Sequence, residues 1–180
     1  MGGASLDGYI SGPDGRFDWT EPDEELQEFH LEHIRKRSGY LLGRRLYESM
    51  LYWESVDTGP EAGEFVRNFA STWKALPKIV FSRTLQSVQG ANTKLARSEL
   101  SEELVELRKN SPTGDIEIGG AELAAEAIRQ DLMNEYWVLV NPIAVGGGAP
   151  LFPRNQRVNL KLLETRTFPS GVVLLKYRSR

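Results

Sequence analysis

Two adjacent glycines and three arginines are the residues of this chain whose types and positions could bind an anion. Gly119 and Gly120 follow a short apolar segment and precede a helix-forming run, so a ligand could approach the backbone closely there. The unpaired N–H groups and positive dipole end of that helix favour an anion such as phosphate. Arg44, Arg45 and Arg83 add guanidinium groups, each able to pair with two phosphate oxygens. A plain strand-to-helix turn with surface charges nearby is the alternative.

These residues follow apolar segments that have the pattern of strands. Four strands are predicted to end in glycine or arginine: 40–42 before Gly43-Arg44-Arg45, 79–81 before Ser82-Arg83, 116–118 before Gly119-Gly120, and 143–145 before Gly146-Gly147-Gly148. Ligands of open α/β sheets bind beyond the carboxyl ends of the strands. The four ends therefore predict a site for a cofactor that carries phosphate groups.

The rest of the pattern supplies the elements that would position these ends. Helices are predicted over 44–51, 64–74, 101–109 and 121–128. One more helix is predicted to start at Thr20-Glu21-Pro22-Asp23, with Thr20 as its cap. Further strands are predicted over 5–11 and 135–140, and a closing hairpin is predicted from 159–166 and 172–178. This alternation predicts a three-layer α/β fold. Its mostly parallel mixed sheet is flanked by helices and ends in an antiparallel C-terminal hairpin.

Composition limits the classes of function. The 180 residues, 40% of them hydrophobic, predict a single domain over 1–180. A net charge of −3 predicts no nucleic-acid or membrane partner. The absence of cysteine excludes disulfides and thiolate chemistry, and with no apolar leader or span the sequence predicts a soluble, cytoplasmic protein. His30 and His33 lack a third ligand cluster, so no metal is predicted.

Five short segments follow one another in the order found in the dihydrofolate-reductase-like superfamily. They are Ser5-Leu6-Asp7-Gly8, Gly43-Arg44-Arg45-Leu46-Tyr47-Glu48, Val80-Phe81-Ser82-Arg83, Ile118-Gly119-Gly120-Ala121-Glu122 and Gly146-Gly147-Gly148-Ala149-Pro150-Leu151-Phe152. The chain most resembles the reductase domain of the bifunctional riboflavin-biosynthesis deaminase/reductase. The resemblance extends from Ser5 to Phe152.

The resemblance implies NADPH as the cofactor. The residues implied to contact it are Ile10, Gly43, Arg44, Arg45, Ser82, Arg83, Gly119, Gly120, Ala121, Glu122 and Leu123. Ser82 and Arg83 resemble the family's site for the adenosine 2′-phosphate. A cis peptide between Gly119 and Gly120 is also implied.

The resemblance further implies a small-molecule substrate and the residues near it. The loop 5–10 resembles a lid over the nicotinamide, with Asp7 as the catalytic residue on the substrate side, and Gly148, Pro150 and Leu151 also face the substrate. Because Asp-Gly is a frequent turn pair, a structural role for Asp7 stays open. The implied activity is hydride transfer to a heterocyclic or sugar-derived substrate, as in 5-amino-6-(5-phosphoribosylamino)uracil reductases, which often form homodimers.

Three departures from the family pattern keep alternatives open. Leu46 stands where relatives carry threonine, and only residues 1–4 precede Ser5, where relatives have a longer first strand. Dihydrofolate reductases place one acid on the first helix, whereas here Asp23, Glu24, Glu25 and Glu28 crowd the region. The alternatives are a pteridine or dihydrofolate reductase, and a non-catalytic nucleotide-binding module that retains the fold.

Overall fold

The computed structural model describes residues 1–19 and 22–180, which form ten strands and six helices. In chain order these are β1 (Gly2–Ser5), β2 (Tyr9–Ser11), α1 (Glu24–Arg35), β3 (Arg37–Gly43), α2 (Arg44–Met50), α3 (Tyr52–Ser55), α4 (Glu64–Ala75), β4 (Lys78–Phe81), β5 (Thr93–Leu95), α5 (Leu100–Asn110), β6 (Asp115–Gly119), α6 (Ala121–Arg129), β7 (Glu135–Asn141), β8 (Ala149–Pro150), β9 (Leu160–Thr167) and β10 (Val173–Ser179). The chain divides into a central unit, residues 27–123, and a terminal unit, residues 1–26 and 124–180.

The central unit is built on a four-stranded parallel sheet in the order β5-β4-β3-β6. The inner strand β3 is buried from Gly39 to Leu42, as expected for a parallel strand covered on both faces. Leu42 and Val80 are adjacent on the sheet and pack with Trp73 of α4 in the core, which they share with Ile34, Tyr40 and Tyr47. This arrangement confirms the predicted α/β class with parallel strands.

The terminal unit holds a mixed sheet in the order β1-β7-β10-β9. β1 pairs with β7 in parallel over all four of its residues, from Gly2 opposite Val138 to Ser5 opposite Asn141. A short first strand is therefore present and paired. β10 runs antiparallel to both β7 and β9, which confirms the predicted C-terminal hairpin.

Two predicted strands are wrong. The segment 5–11 does not form one strand, because Gly8 adopts a φ of +86° and donates to the Ser5 carbonyl in a turn that separates β1 from β2. The segment 143–145 is not a strand, because β7 ends at Asn141 and is followed by proline, which cannot donate to a sheet. The glycines at 146–148 consequently follow a loop.

The start of α1 differs from the prediction in its cap. Thr20 lies outside the described residues. Asp23 caps the helix, since its Oδ1 accepts a hydrogen bond from the Leu26 N–H at 2.8 Å. Its Oδ2 accepts another from the Ser170 N–H at 2.6 Å, so the acid at this position is structural.

The elements that were not predicted are all short: β1 and α3 have four residues each, β5 three and β8 two. Among the described residues, no helix combines the length and apolar character that crossing a membrane requires.

Candidate functional site

Three of the four predicted strand ends meet at one edge of the central unit. β3 lies between β4 and β6, with Gly43 opposite Phe81 and Leu42 opposite Gly119. All three strands are parallel, so the residues that follow them emerge at the same edge of the sheet. The structure thereby brings together Gly43-Arg44-Arg45, Ser82-Arg83 and Gly119-Gly120-Ala121-Glu122-Leu123.

The backbones of Gly43 and Gly120 approach each other closely at this edge. A Cβ on Gly120 would lie 3.2 Å from the Gly43 Cα and 3.3 Å from its nitrogen. Gly120 also has a φ of +98°, a conformation that other residues rarely adopt. The predicted cis peptide between Gly119 and Gly120 is wrong, since no described peptide bond is cis, and the positive φ of Gly120 makes the turn instead.

Leu46 occupies the space beside Gly119. A Cβ on Gly119 would overlap the Leu46 Cδ2 atom, although the backbone of Gly119 itself has no positive φ. Leu46 lies in the first turn of α2 and also packs against the core around Tyr47. Leu46, at the position where the resemblance implies a threonine, is thus an apolar contact of the glycine turn.

The first turn of α6 contributes one buried residue and one exposed residue. Leu123 is 8% exposed, and its Cβ lies 3.7 Å from where a Cβ on Gly43 would be. Its side chain packs against the turn and leaves only the backbone for a ligand. Glu122, one residue before, is exposed.

Two side chains fix the guanidinium group of Arg44 through hydrogen bonds. Its Nε donates to Glu48 Oε1 at 2.7 Å, and its Nη1 donates to Thr84 Oγ1 at 2.6 Å. The Ser82 hydroxyl lies 3.5 Å from that of Thr84 and accepts the Thr84 N–H. Glu48 and Thr84 were not predicted as site residues; the i, i+4 spacing of Arg44 and Glu48 was the available signal.

Arg45 and Arg83 extend from the same edge and are exposed. Within residues 1–19 and 22–180, neither side chain forms an ion pair or a hydrogen bond. Two guanidinium groups without a counter-ion in these residues therefore extend from the edge at which Gly43 contacts Gly120. This combination fits a phosphate-bearing nucleotide.

The sheet beneath this edge contains a buried polar network. His33 Nε2 lies 2.7 Å from Glu117 Oε2, and the two side chains are 3% and 11% exposed. Tyr40 also hydrogen-bonds Glu117, and Arg37 contacts His33 Nδ1 at 3.4 Å. An arginine at Nδ1 makes that nitrogen an acceptor, so His33 is neutral and donates from Nε2 to Glu117.

The pKa values of this network follow from burial and pairing. Burial lowers the pKa of both histidines, that of His33 and that of His30, which falls to about 4. Burial alone would raise the pKa of Glu117. Favourable interactions of the carboxylate, among them the hydrogen bond from His33, have the larger effect and lower its pKa to about 2. Glu117 is ionised two residues before Gly119.

The terminal unit holds the other predicted site residues. Asp7 is exposed, but its carboxylate accepts hydrogen bonds from the Ser5 hydroxyl at 2.6 Å, the Val145 N–H at 3.1 Å and the Gly146 N–H at 2.8 Å. The Ser5 hydroxyl, with Gly146 and Val145, lowers the pKa of Asp7. The structure gives Asp7 the turn-fixing role that the sequence had left open.

Backbone hydrogen bonds and strand pairing connect the residues around Asp7. Leu151 donates its N–H to the Gly8 carbonyl at 2.9 Å, and Pro150 pairs with Tyr9 across the β2–β8 ribbon, which also contains Ile10. Gly148 has a φ of +122° and lies directly against the Ser11 carbonyl, leaving no room for a Cβ. The predicted substrate residues are thus coupled to the turn that contains Asp7.

The sequence matches a described protein family over most of its length. The RibD C-terminal domain family matches residues 3–174. Among curated proteins, the uncharacterized protein YyaP of Bacillus subtilis (strain 168) is 32% identical over 177 residues, which cover 96% of this chain and 89% of YyaP.

Solved structures of other proteins share the fold, as three examples illustrate. A protein of Shewanella sp. PV-4, provisionally described as a riboflavin biosynthesis protein, has a TM-score of 0.78 at 19% identity and covers 99% of this chain and 96% of its own. The Thermotoga maritima diaminohydroxyphosphoribosylaminopyrimidine deaminase/5-amino-6-(5-phosphoribosylamino)uracil reductase has a TM-score of 0.68 at 17% identity, over 99% and 55%. Enterococcus faecalis dihydrofolate reductase, complexed with NADP(H), has a TM-score of 0.62 at 15% identity, over 99% and 93%. These similarities confirm the predicted dihydrofolate-reductase-like fold.

Proposed function

Because the chain belongs to the RibD C-terminal domain family, and is an oxidoreductase of the riboflavin-biosynthesis type, we propose that it uses NADPH to reduce a ribosylamino-pyrimidine or a closely related substrate. The observation that supports this most is the set of three adjacent strand ends, where Arg45 and Arg83 flank the contact of Gly43 with Gly120. NADPH supplies the hydride when bound. A single domain over 1–180, a cytoplasmic location and a homodimer stay predictions.

The proposed roles at this edge follow from the donors that the chain presents. The close contact of Gly43 with Gly120 brings the starts of α2 and α6 together, and the backbone N–H groups there are proposed to bind the pyrophosphate. Arg83, Ser82 and Arg44 are proposed to hold the adenosine 2′-phosphate through charge-assisted hydrogen bonds. Together these groups orient the cofactor, and the protein's contribution to the rate is positioning.

In the terminal unit, Asp7, Gly148, Pro150 and Leu151 are proposed to contact the substrate. Asp7 has a lowered pKa, so its carboxylate is ionised and can only accept hydrogen bonds. The proposed role of Asp7 is therefore to accept hydrogen bonds from substrate hydroxyl or amine groups while it keeps the 145–146 backbone in place.

The cofactor assignment predicts a preference for NADPH over NADH of at least about tenfold in dissociation constant, because each charge-assisted contact to the 2′-phosphate contributes about 1.5 to 3 kcal/mol. Titration calorimetry with both nucleotides measures it. Arg83→Ala should remove most of the preference. Arg108→Ala is the matched control, since Arg108 is exposed and bonds the Gly114 carbonyl at the opposite end of β6. Equal affinities for the two nucleotides would refute the assignment.

The folate alternative requires one buried carboxylate on α1 to hold a protonated pterin. Asp23 caps the helix, Glu25 pairs with Arg166 at 2.8 Å, and Glu24 and Glu28 are exposed. None of these four acids is buried and available, which favours the riboflavin-type reaction.

A diaminopteridine antifolate is consequently expected not to raise the unfolding midpoint of the NADPH complex. At about a hundred times its dissociation constant, a bound ligand adds about 2.7 kcal/mol. For a chain of this size that corresponds to several degrees. A rise that disappears in Glu28→Ala would favour the folate reaction.

A further inference from the structure

Glu48 is a carboxylate placed among the proposed phosphate-binding groups. It lies one turn after Arg44 on α2, and its Oε1 accepts the Arg44 Nε–H at 2.7 Å. The two side chains are 42% and 47% exposed, so the pair is in contact with solvent. The charge of Glu48 does not compensate a buried charge, and an exposed ion pair of this kind contributes little to the free energy of unfolding.

The Glu48 contact has two effects on Arg44 that oppose one another. With Nε bonded to Glu48 and Nη1 to Thr84, the guanidinium is fixed, and the fixed fork suits an oxygen-rich anion. The same carboxylate cancels part of the positive potential at that edge and repels a second anion nearby.

We propose that Glu48 determines cofactor specificity at this site, because it orients Arg44 while it limits the preference for a nucleotide that bears a 2′-phosphate. This inference rests on the proposed NADPH function. The 2′-phosphate is the only group by which NADPH and NADH differ. A charge beside its binding groups therefore changes the ratio of the two affinities, and a general effect on folding changes both affinities alike.

Two substitutions separate the effects. Glu48→Gln keeps an oxygen that accepts the Arg44 Nε–H and removes the charge. Glu48→Ala removes both. Glu106→Gln is the matched control for net charge, since Glu106 is an exposed acid of α5 whose Oε1 contacts Asn110 and no arginine.

Calorimetric titration of wild type and variants with NADPH and NADH tests the proposal. Glu48→Gln should tighten NADPH binding about three- to tenfold, leave NADH within about twofold, and lose most of this gain between about 0.05 M and 0.5 M salt. Glu106→Gln should change neither affinity. Glu48→Ala should gain less than Glu48→Gln, because Arg44 is no longer oriented.

The outcomes distinguish this proposal from the proposed function. If wild type prefers NADPH but Glu48→Gln leaves the ratio unchanged, or weakens NADPH binding, the role of Glu48 is refuted and the cofactor assignment stands. An equal gain in Glu48→Ala and Glu48→Gln refutes the orienting effect. If wild type binds both nucleotides equally, the NADPH function itself is refuted, and the role of Glu48 with it.

Discussion

Replacing Glu117 by alanine is expected to lower the free energy of unfolding by about 2 to 5 kcal/mol, because it leaves the His33 Nε2–H and the Tyr40 hydroxyl as buried donors without an acceptor. Glu117→Gln should cost less, since its amide oxygen still accepts one of these hydrogen bonds. Urea denaturation at neutral pH measures both variants. Equal, small losses in both would mean that water reaches His33 and Tyr40.

The same carboxylate gives the stability a dependence on pH. The pKa of Glu117 is about 2 in the folded protein and near 4.5 when it is unperturbed. A lowered pKa stabilises the fold above pH 4.5, and this contribution of about 3 kcal/mol is lost as the pH falls from about 4.5 to about 2. Wild type should therefore lose more stability over this range than Glu117→Gln. Parallel curves would contradict the assignment.

Alanine at Gly119 is expected to destabilise the protein by about 1 to 3 kcal/mol and to weaken NADPH binding, because the new methyl group overlaps the Leu46 side chain. Shortening Leu46 to alanine in the same chain should recover much of that loss, since the backbone of Gly119 tolerates a side chain. The coupling energy from a double-mutant cycle of urea unfolding measures the recovery.

Gly120→Ala is the comparison for this cycle. Its methyl group would meet the backbone of Gly43, and its φ of +98° is unfavourable for alanine, so Leu46→Ala should not rescue it. If Gly119→Ala proves neutral, or if Gly120→Ala is rescued equally, Leu46 does not fill the space beside the glycine turn.

The glycine and arginine segments could be predicted because each lies in consecutive residues beside an apolar strand. Parallel pairing of β3 with β4 and β6 then brought their ends together, as the general rule for such sheets requires. The strand predicted over 143–145 is wrong, because an apolar run beside glycines has the pattern of a strand. Here Pro142 and the hydrogen bonds to Asp7 fix the segment as a loop.

Contacts between distant residues could not be predicted from the local pattern. Thr84 lies forty residues from Arg44, and Glu117 lies eighty-four from His33. Neither Thr84 nor Glu117 has a sequence neighbour that distinguishes it from an ordinary surface residue or strand residue. The conformation of Gly120 was also missed, since a Gly-Gly pair allows both a cis peptide and a positive φ.

The three hydrogen bonds to Asp7 bear on where the reaction obtains its proton. Reduction of a carbon–nitrogen double bond adds a hydride to carbon and a proton to nitrogen, and the donor must hold that proton at the working pH. A carboxylate with a lowered pKa has already released its proton to solvent. In the proposed reaction, Asp7 therefore cannot be the acid. The proton must come from a donor other than Asp7, which acts in this turn only as a hydrogen-bond acceptor.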